Sequence, residues 1–174
     1  MEPTQTALIV QIPEAEPAVR AWRARYDRAA SWGVPAHVTV LYPFLPPERI
    51  DADVLAAVGT AVASVARFTA DFTRVRWFGD RVVWLAPTPA EPFRTLTAAV
   101  CRLFPQVTPY GGAHPEVIPH LTIGHDAPRT ALAEAADAVS RRLPLRSAVE
   151  AVQLIAGGPH PGGWQTMGHF PLGS

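Results

Sequence analysis

Apolar and polar positions alternate most sharply in two short stretches, residues 36–44 and residues 118–124. In an extended chain, successive side chains point to opposite faces. The first stretch therefore puts His37 and Thr39 on one face and Val38 and Val40 on the other. The second repeats the arrangement, with His120 and Thr122 backed by Leu121 and Ile123. Tyr42 and Phe44 continue the Val38/Val40 face and are expected in the core.

The pattern elsewhere resolves into helices and further strands. Thr6–Ile12 is a short apolar strand, and Pro17–Ala30 is a helix with Val19, Trp22, Tyr26 and Ala29 on one side. Asp51 caps a helix running to Phe68, with Val54, Val58, Val62 and Val65 at helical spacing. Phe72–Phe78 and Val82–Ala86 form a hairpin about Gly79, Asp80 and Arg81. Thr88, Pro89 and Glu91 read as a helix start, with Thr88 as cap and a buried stripe of Phe93, Leu96, Val100 and Leu103. Residues 105–119 form a long loop, and a loop of that length in a compact domain is often functional. Thr130–Leu143 is a helix, Ala148–Ala156 a strand, Gly157–Gly163 a loop and Trp164–Leu172 a returning strand. Each half thus reads as motif strand, helix, hairpin. Such a duplicated layout can bring the two His/Thr pairs face to face across a central groove.

The 174 residues, 48% hydrophobic, suit one domain spanning 1–174, compact or built of two lobes on a shared core. Mixed helices and short strands indicate an α/β or α+β fold. No stretch of 18 apolar residues is present, so no membrane span or membrane partner is expected. The N-terminus lacks the basic and apolar regions of a signal peptide, so the expected location is cytoplasmic. The single cysteine, Cys101, is expected to be a core residue. Net charge is zero and all 15 basic residues are Arg. The absence of Lys excludes Schiff-base, P-loop and lysine-adenylylation chemistry. A grip on long duplex nucleic acid normally needs a basic excess, so the expected partner is a short phosphate ester. The oligomeric state is open.

Two facing histidines suit general acid–base catalysis, because an imidazole titrates near neutrality. One ring takes a proton from an attacking water while the other gives one to the leaving oxygen. Threonine hydroxyls hold the non-bridging oxygens of a phosphodiester in line. The arrangement needs neither metal nor cofactor. A shuffled chain of this composition would show two such motifs, with apolar intervening residues, only about once in two hundred trials.

The duplicated His-x-Thr-x pair, set in Pro35-Ala36-His37-Val38-Thr39-Val40 and Pro119-His120-Leu121-Thr122-Ile123, resembles the signature of the two-histidine (2H) phosphoesterase superfamily. That group includes bacterial 2′-5′ RNA ligase-like proteins and RNA 2′,3′-cyclic phosphodiesterases. The separation of the two histidines and the order of elements are similar too. The resemblance implies an α+β, bilobal fold with pseudo-twofold symmetry, two antiparallel sheets flanking a groove and helices outside. It also implies hydrolysis of a 2′,3′-cyclic phosphate, on a small nucleotide or an RNA terminus, to a 2′-phosphate. His37 and His120 would be the acid–base pair, with Thr39 and Thr122 on the phosphate. The alternatives are a 2′-5′ ligase or 2′-5′ phosphodiesterase activity, or a non-catalytic module that binds RNA or nucleotides.

Other residues are candidates for substrate binding. His125 ends the second motif strand, on the opposite face from His120 by alternation, and can turn toward the groove rim. Tyr110, like Trp32, precedes a motif and can stack on a base. Arg81, at a hairpin tip, can reach a phosphate. Core packing is the expected role of Trp32, Trp77 and Trp84. His114, Glu116, His120 and His125 match no common zinc spacing, so no metal site is expected. Gly157–Gly163 lacks the Lys of a P-loop and reads as a hairpin tip.

Overall fold

Among the described residues, eight strands form two antiparallel sheets of four. The computed structural model describes residues 1–113 and 116–174. The first sheet has the order β2 (His37–Leu41), β1 (Gln5–Gln11), β7 (Ala151–Gly157), β8 (Gln165–Pro171). The second has the order β5 (Leu121–His125), β4 (Val82–Thr88), β3 (Phe68–Phe78), β6 (Leu145–Val149). Both motif strands, β2 and β5, are edge strands, and they lie beside each other where the sheets meet.

The two halves exchange their hairpins. The β3–β4 hairpin follows the first motif in sequence but completes the sheet of the second. The β7–β8 hairpin follows the second motif but completes the sheet of the first. The apolar run expected as one strand over 148–156 is accordingly divided at Glu150. Its first part, β6, pairs with β3, and its second, β7, pairs with β1. Period-two alternation cannot reveal this, because both pieces are strands.

Helices cover the outside. The helix α1 (Glu16–Tyr26) and α5 (Arg129–Ser140) pack on β5, while α3 (Ala52–Ala63) and α4 (Glu91–Leu103) pack on β8 and β2 respectively. The helix expected over 17–30 breaks at Asp27, which is extended at φ −127° and ψ 108°. Its carboxylate accepts from the Ala29 N–H and caps a one-turn helix, α2 (Arg28–Ser31). An Asp gains more as a cap than inside a helix, where it competes for backbone bonds. Asp51 caps α3 as expected, accepting from Val54 N at 2.8 Å. Helix α4 begins later than expected: Thr88 is the last residue of β4, Ala90 is the N-cap, and no side chain caps it. Leu103, expected in the buried stripe, is the last residue of α4 and is exposed.

Val38, Leu121 and Ile123 are completely buried. Each is worth about 1.5–3 kcal/mol in the core. A one-residue slip of either motif strand would expose these side chains and bury the His/Thr face instead, so the register is strongly held.

Candidate functional site

Each motif strand bulges at the residue after its threonine. In β2, Thr39 pairs with Ile9 and Leu41 with Leu8, leaving Val40 as the extra residue. In β5, Thr122 pairs with Trp84 and Gly124 with Val83, leaving Ile123 as the extra residue. A bulge reverses the alternation beyond it. Val40 and Leu41 both enter the main core, as do Ile123 and its neighbour Gly124. Tyr42 and His125 are thereby returned to the groove side. Tyr42, expected in the main core, instead packs on a small cluster of Ala7, Ile9, Val34 and Ile155. Phe44 is buried in the main core as expected. The Val40 carbonyl accepts from the Thr97 hydroxyl at 2.7 Å, which anchors the first bulge to α4.

The two imidazoles are held alike. His37 Nδ1 lies 2.7 Å from the Pro35 carbonyl, and His120 Nδ1 lies 2.8 Å from the Ile118 carbonyl. A carbonyl can only accept, so Nδ1 carries the proton and Nε2 holds the lone pair of the neutral ring. In both cases the partner is the residue two before, so the orientation is built into the local chain.

Their surroundings differ. Burial, and then the Arg23 guanidinium, push the His37 pKa down from 6.5 to about 4; the Pro35 carbonyl and Asp27 act against this, and His120 adds to the lowering. Arg23 is itself buried, donating to Asp27 Oδ2 and to the Val34 carbonyl, each at 3.0 Å. The His120 ring is walled by aromatics. Phe78 meets it edge to face at 5.1 Å, Trp84 lies at 5.9 Å, and Phe78 and Trp84 stack at 4.5 Å.

A cleft of about 520 Å³ opens beside this ring, lined among others by His120, Thr122, His125, Tyr110, Asp27 and Phe78. Tyr110 spans the two motifs: it lines the cleft with His120 and Thr122, and its side chain is hydrogen-bonded to Thr39. Burial raises the phenol pKa, and the Thr39 bond partly offsets that. The Tyr110 backbone is left-handed, at φ 53° and ψ 30°, and its N–H donates to the Tyr42 carbonyl at 2.6 Å. A bulky residue rarely adopts that conformation, so its surroundings must hold it there.

The model of the 2′-5′ RNA ligase superfamily matches residues 12–159. The chain belongs to that superfamily, the 2H phosphoesterases. Solved structures agree on the fold. Escherichia coli LigT in its apo form aligns with TM-score 0.62 at 18% identity, covering 100% of both chains. LigT complexed with 3′-AMP aligns with TM-score 0.63 at 18% identity, covering 99% of this chain and 100% of that one. TT0787 of Thermus thermophilus aligns with TM-score 0.64 at 22% identity, covering 96% of this chain and 97% of that one. No curated protein matches the sequence. Membership makes the chain an enzyme of the phosphoesterase kind.

The two motif strands lie side by side; His120 and Thr122 line the cleft, His37 and Thr39 are outside its lining, with Thr39 joined to it through Tyr110, and the other sequence candidates fall unequally around them. His125 lines the cleft; Asp126 Oδ2 approaches its Nε2 at 3.2 Å. Arg81 lies outside the cleft lining and pairs with Asp126 Oδ1 at 3.0 Å, one step removed from His125. Trp32 is tied by its carbonyl to Trp164 N, 3.0 Å away. Trp77 is partly buried on the core side, under the Arg129 guanidinium at 4.1 Å. His114 lies outside the described residues; among those described, no cluster of three metal-binding side chains occurs. Asp27 and Phe78 line the cleft without being singled out by the sequence, and Trp84, expected in the core, is buried against His120 on the groove face instead. Only Trp84 carries a local signal: it alternates with Val83 and Leu85, so it belongs to the other face of its strand. No helix among the described residues is long and apolar enough to cross a membrane.

Proposed function

We propose that the protein is a metal-independent phosphodiesterase that opens a 2′,3′-cyclic phosphate to a 2′-phosphate. The observation that carries this is the matched pair of imidazoles, each fixed by an Nδ1–carbonyl bond and each beside a threonine on its strand. A water oxygen attacks phosphorus and loses its proton to the neutral imidazole. The bond from phosphorus to O3′ breaks, and O3′ takes a proton from the protonated imidazole. The products are a 2′-phosphate and a 3′-hydroxyl, with one proton moved from one ring to the other. The depressed pKa of His37 suits it to be the acceptor, which leaves His120 as the donor. Thr39 and Thr122 hold the non-bridging oxygens, with Tyr110 setting the Thr39 hydroxyl. His125 and Tyr110 border the nucleoside, and Phe78 offers it an apolar wall. A monoanionic cyclic ester needs only such neutral donors.

The superfamily description favours a second reading, ligation. A 5′-hydroxyl would take the place of the water in the same step. Incubation of the protein with a nucleoside 2′,3′-cyclic phosphate, with and without EDTA and followed by phosphorus NMR, tests the proposal. The expected product is the 2′-phosphate in both cases. No turnover, or turnover that chelation abolishes and zinc restores, would overturn it.

A further inference from the structure

The groove face of the second sheet continues past the motif. Thr122 pairs with Trp84, and Trp84 pairs with Arg76. Side chains directly opposite across a sheet share a face. Arg76 is therefore on the face of Thr122, two strands away, or roughly 10 Å between Cα atoms. Its guanidinium lies over the Trp84 ring at 5.8 Å, and that ring lies 5.9 Å from His120. Arg74, two residues back along β3 on the same face, pairs with Ala86. The opposite face of β3 carries Val75 and Trp77, which pack against the core under α5. Arg74 and Arg76 are both exposed. Neither has an ion pair or side-chain hydrogen bond among the described residues; Arg25, Arg28, Arg49, Arg67, Arg102, Arg129 and Arg142 likewise have no carboxylate partner there, so it is their place on the groove face that distinguishes Arg74 and Arg76.

The first sheet differs. The corresponding row runs from Thr39 through Ile9 and Gln153 to His169, and it carries no arginine. Two structurally similar faces flank one reacting centre, and only one of them carries cations with no acidic partner. Guanidinium forks match phosphate oxygens, so two exposed arginines on the face that continues from Thr122 can hold an anion beside the reacting centre.

We propose that Arg74 and Arg76 form a subsite for the phosphate that precedes the reacting one, so that a single-stranded RNA end leaves the groove over Trp84 and β3. This rests on the reacting phosphate lying between the two motifs. It assigns the strand a direction, across the second sheet, and makes an oligonucleotide end a better substrate than a mononucleotide. A single further phosphate site on a chain of zero net charge fits a short single strand, not a long duplex.

The test compares a nucleoside 2′,3′-cyclic phosphate with a pentaribonucleotide ending in the same cyclic phosphate. The proteins are the wild type, Arg74→Gln, Arg76→Gln, the double variant, and Arg102→Gln as a control on α4. Each groove variant is expected to raise KM for the pentanucleotide roughly tenfold, the loss of one charge-assisted bond. The double variant should leave kcat, and all constants for the mononucleotide, within about twofold. In parallel, anisotropy of a labelled RNA ending in a 3′-phosphate should show weaker binding by the double variant. Its slope of log affinity against log salt should be smaller by about 0.7, the value for one single-strand phosphate. Turnover of both substrates with no selective effect of the variants overturns the subsite and leaves the phosphodiesterase reading standing. No turnover of either substrate removes that reading, and the binding measurement then decides the subsite: selective loss in the double variant supports it, and equal binding by all variants, or none by the wild type, overturns it.

Discussion

The Tyr110 side chain is hydrogen-bonded to Thr39, so the loop joining the two halves is tied directly to the first motif. The same residue lines the cleft beside His120 and Thr122. Its strained backbone at φ 53° is consistent with a position held for function.

Removing only the hydroxyl tests that tie. Tyr110→Phe should lower kcat/KM about five- to tenfold, the cost of one neutral hydrogen bond of about 1–1.5 kcal/mol. Melting temperature should change little. Steady-state kinetics and thermal denaturation together check this; full activity in Tyr110→Phe would reduce the phenol to a packing role.

His37→Ala and His120→Ala should each cut kcat by about 10²–10⁴-fold with the fold retained, because each removes one proton carrier. Thr39→Ala or Thr122→Ala should cost less, about 1.5–3 kcal/mol, and Ser at either position less still. Circular dichroism confirms folding while turnover is measured. A threonine loss larger than the histidine losses would reverse the assignment of roles.

The pH dependence follows from His37. With its pKa at about 4 in the folded protein and 6.5 as the ordinary value, the unfolded chain binds more protons between those limits. Stability therefore falls as pH drops from about 6.5 toward 4, by up to about 3 kcal/mol, and is unaffected by this group above 6.5. His37→Gln should flatten that slope in urea titrations. If His37 is the base, the acid limb of kcat/KM should lie near pH 4; a limb near 6.5 would assign that role elsewhere.

Asp27→Asn should destabilise the fold by about 3–5 kcal/mol, since it leaves the buried Arg23 without its carboxylate. It should also lower the His37 pKa further, because Asp27 acts to raise it. NMR titration of the His37 ring, at a temperature where the variant is folded, reads this directly. An upward shift would contradict the electrostatic account.

Gly124 supports the second bulge. A Cβ there would stand 2.7 Å from Leu132 Cδ2 and 3.1 Å from Tyr26 Cβ. Gly124→Ala should cost about 1–3 kcal/mol as overpacking, measured by chemical denaturation, with a parallel fall in activity as β5 shifts from α1 and α5. Unchanged stability would mean that Leu132 and Tyr26 can yield.

Local alternation alone determined the two motif strands, the face each His and Thr occupies, and the apolar residues behind them, because a side-chain period of two is a property of the extended backbone. Helical spacing and the cap chemistry of an aspartate determined the α3 start at Asp51, and the order of such segments determined the repeat of strand, helix and hairpin. Which hairpin completes which sheet was decided only by the tertiary structure, since pairing partners leave no mark on the pattern of either strand. The bulges at Val40 and Ile123 were equally hidden. A single unpaired residue reverses the alternation beyond it, which moved Tyr42 out of the main core and returned His125 to the groove. The environments of the two histidines also needed the fold. Their sequence contexts are nearly the same, yet one ring sits beside the buried Arg23 and the other against Phe78 and Trp84, because elements distant in sequence supply those neighbours.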